Sequence, residues 1–312
     1  MEVLGLRWSA DPRRSDVFLL GYPDLGLTQI AVAESPWSDG AAGLHHTYAG
    51  DFDGGGATCN GDLRHLLDGR HSELTAHALA TDLDAVIDLA RPADVYTHAD
   101  FDGHPDHDEV SRQVAAALAR SGRAAVLHTT LIHPQGTGDC MAVSAERWPN
   151  PPLADDDPFA RFTPALDVTA PPLPPCAVSP EGASWGPLGS PDELVEVPPE
   201  MQVAEPNRNL KWRAIACYVS QVDCTRRDEG GHDASCGYMR AFVKRHEFFW
   251  TRHFGDAEAR DAAGPVLVVV AHPDDEALGA AGVIARAHAA GRRVYVAVVT
   301  NGEGRAQPVA AR

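Results

Sequence analysis

Two uninterrupted apolar runs, Val266 to Val270 (VLVVV) and Val294 to Thr300 (VYVAVVT), constrain this chain more than any other feature. Continuous β-branched runs of this length read as strands buried on both faces of a parallel sheet. Between them, EALGAAGVIARAHAAG reads as a small-residue helix that stops at Gly291. Strand, helix and strand at this spacing form a β-α-β unit with a right-handed crossover. Open α/β sheets place their ligands at the carboxyl ends of such strands, and there the sequence has AHPDDE and NGEG.

The rest of the chain continues the alternation. Asp16 to Asp24 reads as strand then turn, and residues 28–72 as a Gly-, Asp- and His-rich loop. Leu79, Leu83, Val86 and Ile87 recur at helical spacing, as do Val110, Val114, Ala117 and Leu118 ahead of Gly122. Asp94 to Ala99 and Ala124 to Ile132 read as strands. Residues 134–206 hold 16 of the 24 prolines and several acids, too many for a helix or a central strand. Trp148, Phe159, Phe162 and Trp185 favour a packed excursion over a linker. Helices are expected over 209–222 and 238–250, then a polar connector at 251–264 leading into the β-α-β unit at 265–303. The expectation is one α/β domain over 1–312, its sheet mostly parallel with helices on both faces, and 134–206 covering the crevice.

Composition narrows the function. A net charge of −18 argues against a broad nucleic-acid or anionic-membrane surface, which needs clustered Lys and Arg. No apolar run reaches membrane-span length, and the first residues lack a signal peptide's order, so the expected compartment is the cytoplasm. The 6 cysteines include no CxxC, which disfavours a thiolate zinc site. Cys224 and Cys236 bracket a polar loop and read either as a disulfide or as two ordinary thiols.

Two motifs carry chemistry. Hydrolysis assisted by a metal needs a few N/O ligands, an open position for water and a base beside it. His272-Pro273-Asp274-Asp275-Glu276 offers these groups, although a solvated acidic helix start would look similar. His104-Pro105-Asp106-His107 lies just past another strand, and parallel strands bring such loops into one crevice. Two rivals are weaker. His107-Asp108 is an HD pair, but that phosphohydrolase class is all-helical. Asp51 to Asp62 loosely imitates a calcium loop yet has Gly55 where an oxygen ligand belongs and no flanking helices. His45 and His46 read as part of the same loop rather than as a ligand pair.

Together, AHPDDE after VLVVV, TNGEG after VYVAV and HPDH after DVYTH resemble the PIG-L (LmbE-like) N-acetylglucosaminyl deacetylases, zinc hydrolases on a Rossmann-like sheet. LGYPD, KWRAIACYVSQ and FVKRHEFFW look like further family segments. The resemblance implies a Zn2+ site, or another divalent metal, on His272, Asp275 and His107. It implies Asp274 as general base and a protonated His104 as general acid and electrophile. Asp102, where some relatives carry an aromatic, is expected near the substrate, with Asp24, Asn301 and Glu303. The implied reaction removes an N-acetyl group from a small N-acetylglucosaminyl-type conjugate, releasing acetate and a free amine. A longer acyl group, a non-sugar amide, or a sugar-binding relative without activity are the alternatives. The motif order departs from the family, in which AHPDDE comes first. Circular permutation accounts for this: joining Arg312 to Met1 places Val309, Met1 and Leu4 on one helix face, with Gly5 as its stop. It predicts that Met1 and Arg312 lie together and that 307–312 and 1–5 form one interrupted helix.

Overall fold

A computed structural model describes residues 2–38, 45–49, 61–133, 191–218, 222, 239, 242–256 and 260–302. Its seven strands are β1 (Val17–Tyr22), β2 (Asp94–His98), β3 (Ala125–Thr130), β4 (Glu193–Glu196), β5 (His246–Phe254), β6 (Val266–Val270) and β7 (Val294–Thr300). They form one sheet in the order β1-β7-β6-β2-β3-β5-β4. The five strands from β1 to β3 are mutually parallel, whereas β5 runs antiparallel to both β3 and β4. The α/β, Rossmann-like expectation holds.

Alternation along each buried strand explains the unbroken apolar runs. Val266, Val268, Val270, Val294, Val296 and Val298 pack into one core with Leu278, Ile284 and Ile215. Leu267, Val269, Tyr295, Ala297 and Val299 pack into a second core with Leu83, Val86, Val110 and Leu118. Both faces are therefore covered by helix, and neither set of alternate residues has to be polar. The first face carries α5 (Leu210–Ile215), α6 (Asp275–Gly279) and α7 (Ala281–Ala289). The second carries α1 (Leu27–Ile30), α2 (Leu63–Asp68), α3 (Ala76–Ala90) and α4 (Pro105–Ser121). Among the described residues, no helix is long and apolar enough to cross a membrane.

Several expected elements differ. The aromatic stretch expected as a helix over 238–250 contributes His246–Phe254 to β5, whose residues pair with β3 and β4. Packing of Phe249, Trp250 and Phe254 against the sheet overrides the local reading. Thr251 to Phe254, expected in the connector, complete that strand. The helix expected over 209–222 is the shorter α5, started by the Asn209 side chain accepting from Trp212 N–H. The helix after AHPDDE breaks at Ala280, where φ is −140°, separating α6 from α7. Within the proline-rich region β4 takes the sheet edge, and 134–190 lie outside the described residues. The loop at 28–72 contains α2, capped by Asp62, which accepts from His65 N–H and lies 2.6 Å from His71 Nδ1. Most of the calcium-like segment, Cys224, Cys236, Glu303, Met1 and 307–312 also lie outside the described residues.

A buried ion pair fastens β5 to the first helical layer. Lys211 Nζ donates to Glu247 Oε1 at 2.7 Å, and the Glu247 carboxylate accepts from Gly282 and Val283 N–H at the start of α7. Gly282 makes this approach possible, because a Cβ there would meet Val197 Cγ1 at 2.7 Å.

Candidate metal centre

β6 and β2 are adjacent, and their carboxyl ends open into the crevice where the winding of the sheet reverses. From β6 the chain passes through Ala271 and His272 to α6. From β2 it passes to His104, which caps α4, with Pro105 in the first turn. His107 then lies on the first turn of α4, facing His272 across a sequence separation of 165.

Three atoms converge there. His107 Nε2 and His272 Nδ1 are 3.1 Å apart, and Asp275 Oδ2 is 3.3 Å from each. A tetrahedral ion with bonds of ~2.0–2.1 Å holds its ligand atoms about 3.3 Å apart, so this triangle fits one. Carboxylates stand behind both imidazoles. Asp102 Oδ1 is 3.2 Å from His107 Nδ1, and Asp24 Oδ1 is 2.9 Å from His272 Nε2. Such outer carboxylates fix the orientation of metal-binding histidines.

The electrostatics favour a cation. Burial lowers His107, but Asp275 and Asp102 outweigh it and raise the imidazole to about 9. Burial likewise opposes the charge on His272, yet Asp106, Asp24 and Asp275 raise it to about 12. Burial would raise Asp102, but the His107 charge holds its carboxyl at about 2. As free groups the two histidines therefore hold protons where a divalent ion would serve the same carboxylates. Asp274 stands apart: burial, then Asp275 and Glu276, push its carboxyl up to about 8. Burial, then the His107 and His272 charges, push His104 down to about 4.

The motif residues His272, Asp274, Asp275, His104 and His107 thus gather in one crevice, while the expected substrate contacts are placed otherwise. Asp102 is buried; besides facing His107 it accepts from the N–H groups of His104, Ile132 and His133. Asp24 faces His272. Asn301 Nδ2 donates to Tyr48 O at 2.8 Å and to Gly21 O at 3.4 Å, holding loops together. Four further residues were not singled out by sequence reasoning. His98, at the end of β2, stacks on His107 at 3.7 Å, and its Nε2 accepts from Ala271 N–H. Asp106 accepts from Leu25 and Leu27 N–H, bracing the turn that carries Asp24. Tyr218 Oη donates to Glu276 Oε1. The available signal for His98 was its place at the carboxyl end of the strand DVYTH, just ahead of HPDH. Glu276 and Asp106 lay inside the motifs, but spacing gave them no partner.

Fold and site together define an α/β protein with a buried His/Asp centre competent for a divalent metal. Residues 267–311 match the family model PIG-L, described as GlcNAc-PI de-N-acetylase, which is the family the motifs resemble. That match spans β6 to β7 and includes His272, Asp274 and Asp275. No curated protein and no solved structure matches the chain.

Proposed function

We propose that this protein is a zinc-dependent deacetylase of small N-acetylglucosaminyl-type conjugates, releasing acetate and a free amine. The carrying observation is the triangle of His107 Nε2, His272 Nδ1 and Asp275 Oδ2, backed by Asp102 and Asp24. A zinc ion held by these three residues would supply a Lewis acid and a water acidified toward pKa ~7. Asp274 is the general base. Its side chain makes no cap hydrogen bond to the helix it precedes, and a cation on the triangle would draw its raised carboxyl back down, leaving the carboxylate to take the water proton and pass it to the leaving amine. His104 Nδ1 accepts from Asp106 N–H at 3.3 Å, so the neutral ring carries its proton on Nε2. This supports His104 as a neutral donor to the developing oxyanion, in place of the protonated acid expected from sequence.

Acetate and amine release from N-acetylglucosamine conjugates, measured with zinc content, tests the reading. Turnover should disappear with a chelator and return with zinc. Chelator-resistant turnover, or a purified protein that takes up no divalent metal, would overturn it. Parallel N-butyryl and N-octanoyl substrates should react more slowly than the N-acetyl compound.

A further inference from the structure

We infer that Tyr218 and Glu276 form a positioning pair that holds the backbone of Asp274 in the conformation in which it serves as base. The inference rests on the deacetylase reading and extends it to two residues outside the metal and proton-transfer set. Asp274 has φ +126° and ψ −30°, a region that residues with a side chain rarely adopt. Such a conformation persists only where its surroundings over-determine it. Two sets of hydrogen bonds hold it. Asp274 O accepts from Ala277 N–H at 2.8 Å and Leu278 N–H at 3.0 Å, which fixes the carbonyl side. Asp274 N–H donates to Glu276 Oε2 at 3.2 Å, which fixes the amide side. The second contact resembles the reach-back half of a capping box, with the glutamate two residues on rather than three.

Glu276 is 1% exposed, and a carboxylate buried this deeply needs donors to keep its place. Its other oxygen accepts from the Tyr218 hydroxyl, from a segment 58 residues away in sequence that follows α5. Tyr218 is thus tied through one carboxylate to the amide of Asp274. The neighbouring Asp275 is committed through Oδ2 to the ligand triangle and to His272 N–H at 2.9 Å. A turn fixed at its amide, its carbonyl and its next residue sets the direction in which the Asp274 side chain leaves the backbone toward the attacking water. Small misplacement of a base is enough to lose most of its effect.

The test removes the hydroxyl alone. Tyr218→Phe should lower kcat for acetate release from N-acetylglucosamine roughly tenfold, with KM within about twofold and zinc content unchanged. In an Asp274→Asn background the same substitution should cause no further loss, because the group it positions is gone. Glu276→Gln, which keeps a carbonyl acceptor for the Asp274 amide, should recover activity relative to Glu276→Ala. Independently of turnover, amide exchange at Asp274 should accelerate in Tyr218→Phe and Glu276→Ala while the β6 amides stay protected. Equal losses in the wild-type and Asp274→Asn backgrounds would mean a merely structural contact and overturn the inference. So would unchanged exchange at Asp274. If Asp274→Asn alone were fully active, the base assignment would fail, and exchange would still decide whether the pair holds this turn.

Discussion

Asp274 and Asp275 are chemically identical neighbours in unlike fields. Asp275 is surrounded by His107, His272 and His98, whose contacts outweigh its burial and hold its carboxyl well below the ordinary range. Asp274 receives little of that compensation, and burial dominates it. Asp275→Asn and His107→Ala should therefore lose metal, since each removes one of the three ligands proposed for it. Asp274→Asn should keep the metal and lower kcat by roughly two or more orders of magnitude, the range for a positioned base. Elemental analysis beside turnover separates the two classes, and a metal-free Asp274→Asn would reverse the assignments. His104→Ala should also keep its metal and lose turnover. At this scale the motifs were legible because histidine and aspartate at strand ends declare themselves. The roles of Asp102, Asp24 and Asn301 were not. Whether a carboxylate faces substrate or braces a histidine depends on residues far off in sequence, such as His272 for Asp24.

Among the elements, the parallel strands were readable because burial on both faces writes itself as an unbroken apolar run. β5 was not, since its pairing partners β3 and β4 lie more than a hundred and about fifty residues away and its aromatics suit a helix end equally well. The attachment of this antiparallel edge rests on a charge cluster at the foot of β2. His128 bridges Asp94 at 3.2 Å and Glu193 at 2.6 Å while stacking on Tyr96, and Arg260 and Arg292 also pair with Asp94. Burial would raise Asp94, yet His128 and Arg292 bring it down from 3.8 to about 2. Its stabilisation is therefore complete above pH ~4 and lost as pH falls toward 2, on the order of 2 kcal/mol. Burial lowers His128, but Asp94 and Glu193 raise it above 6.5. Its contribution is present below pH ~6.5 and fades as pH climbs through the raised value. Thermal unfolding against pH should show both limbs. Asp94→Asn should flatten the acid limb and His128→Gln the alkaline one; unchanged limbs would remove the cluster from the account of stability.

At the level of the whole molecule, the strand order bears on the permutation expected from the motif order. Counting strands from β6 through β7, β1, β2 and β3, the sheet order β1-β7-β6-β2-β3 becomes 3-2-1-4-5, the Rossmann sequence, with the site at the switch between first and fourth strands. The motif order suggested permutation but gave no strand order. The strand order yields a test of permutation that leaves the sheet untouched. A rearranged chain would begin at Arg260, run through Arg312 directly into Met1, and end at Asp256. Residues 301–312 and 1–16 would then form a continuous crossover from β7 to its parallel neighbour β1, well above the dozen residues such a connection needs. Opening the short 255–265 connector while closing this longer one changes loop entropy by only about 1 kcal/mol. Arg260 would stay in place to pair with Asp94. The rearranged protein should fold with the same circular dichroism, bind the same amount of zinc and unfold within a few degrees of the original. A rearranged chain that is unfolded, or folded without metal affinity, would show that the present linear order is required, and the permutation account would fall.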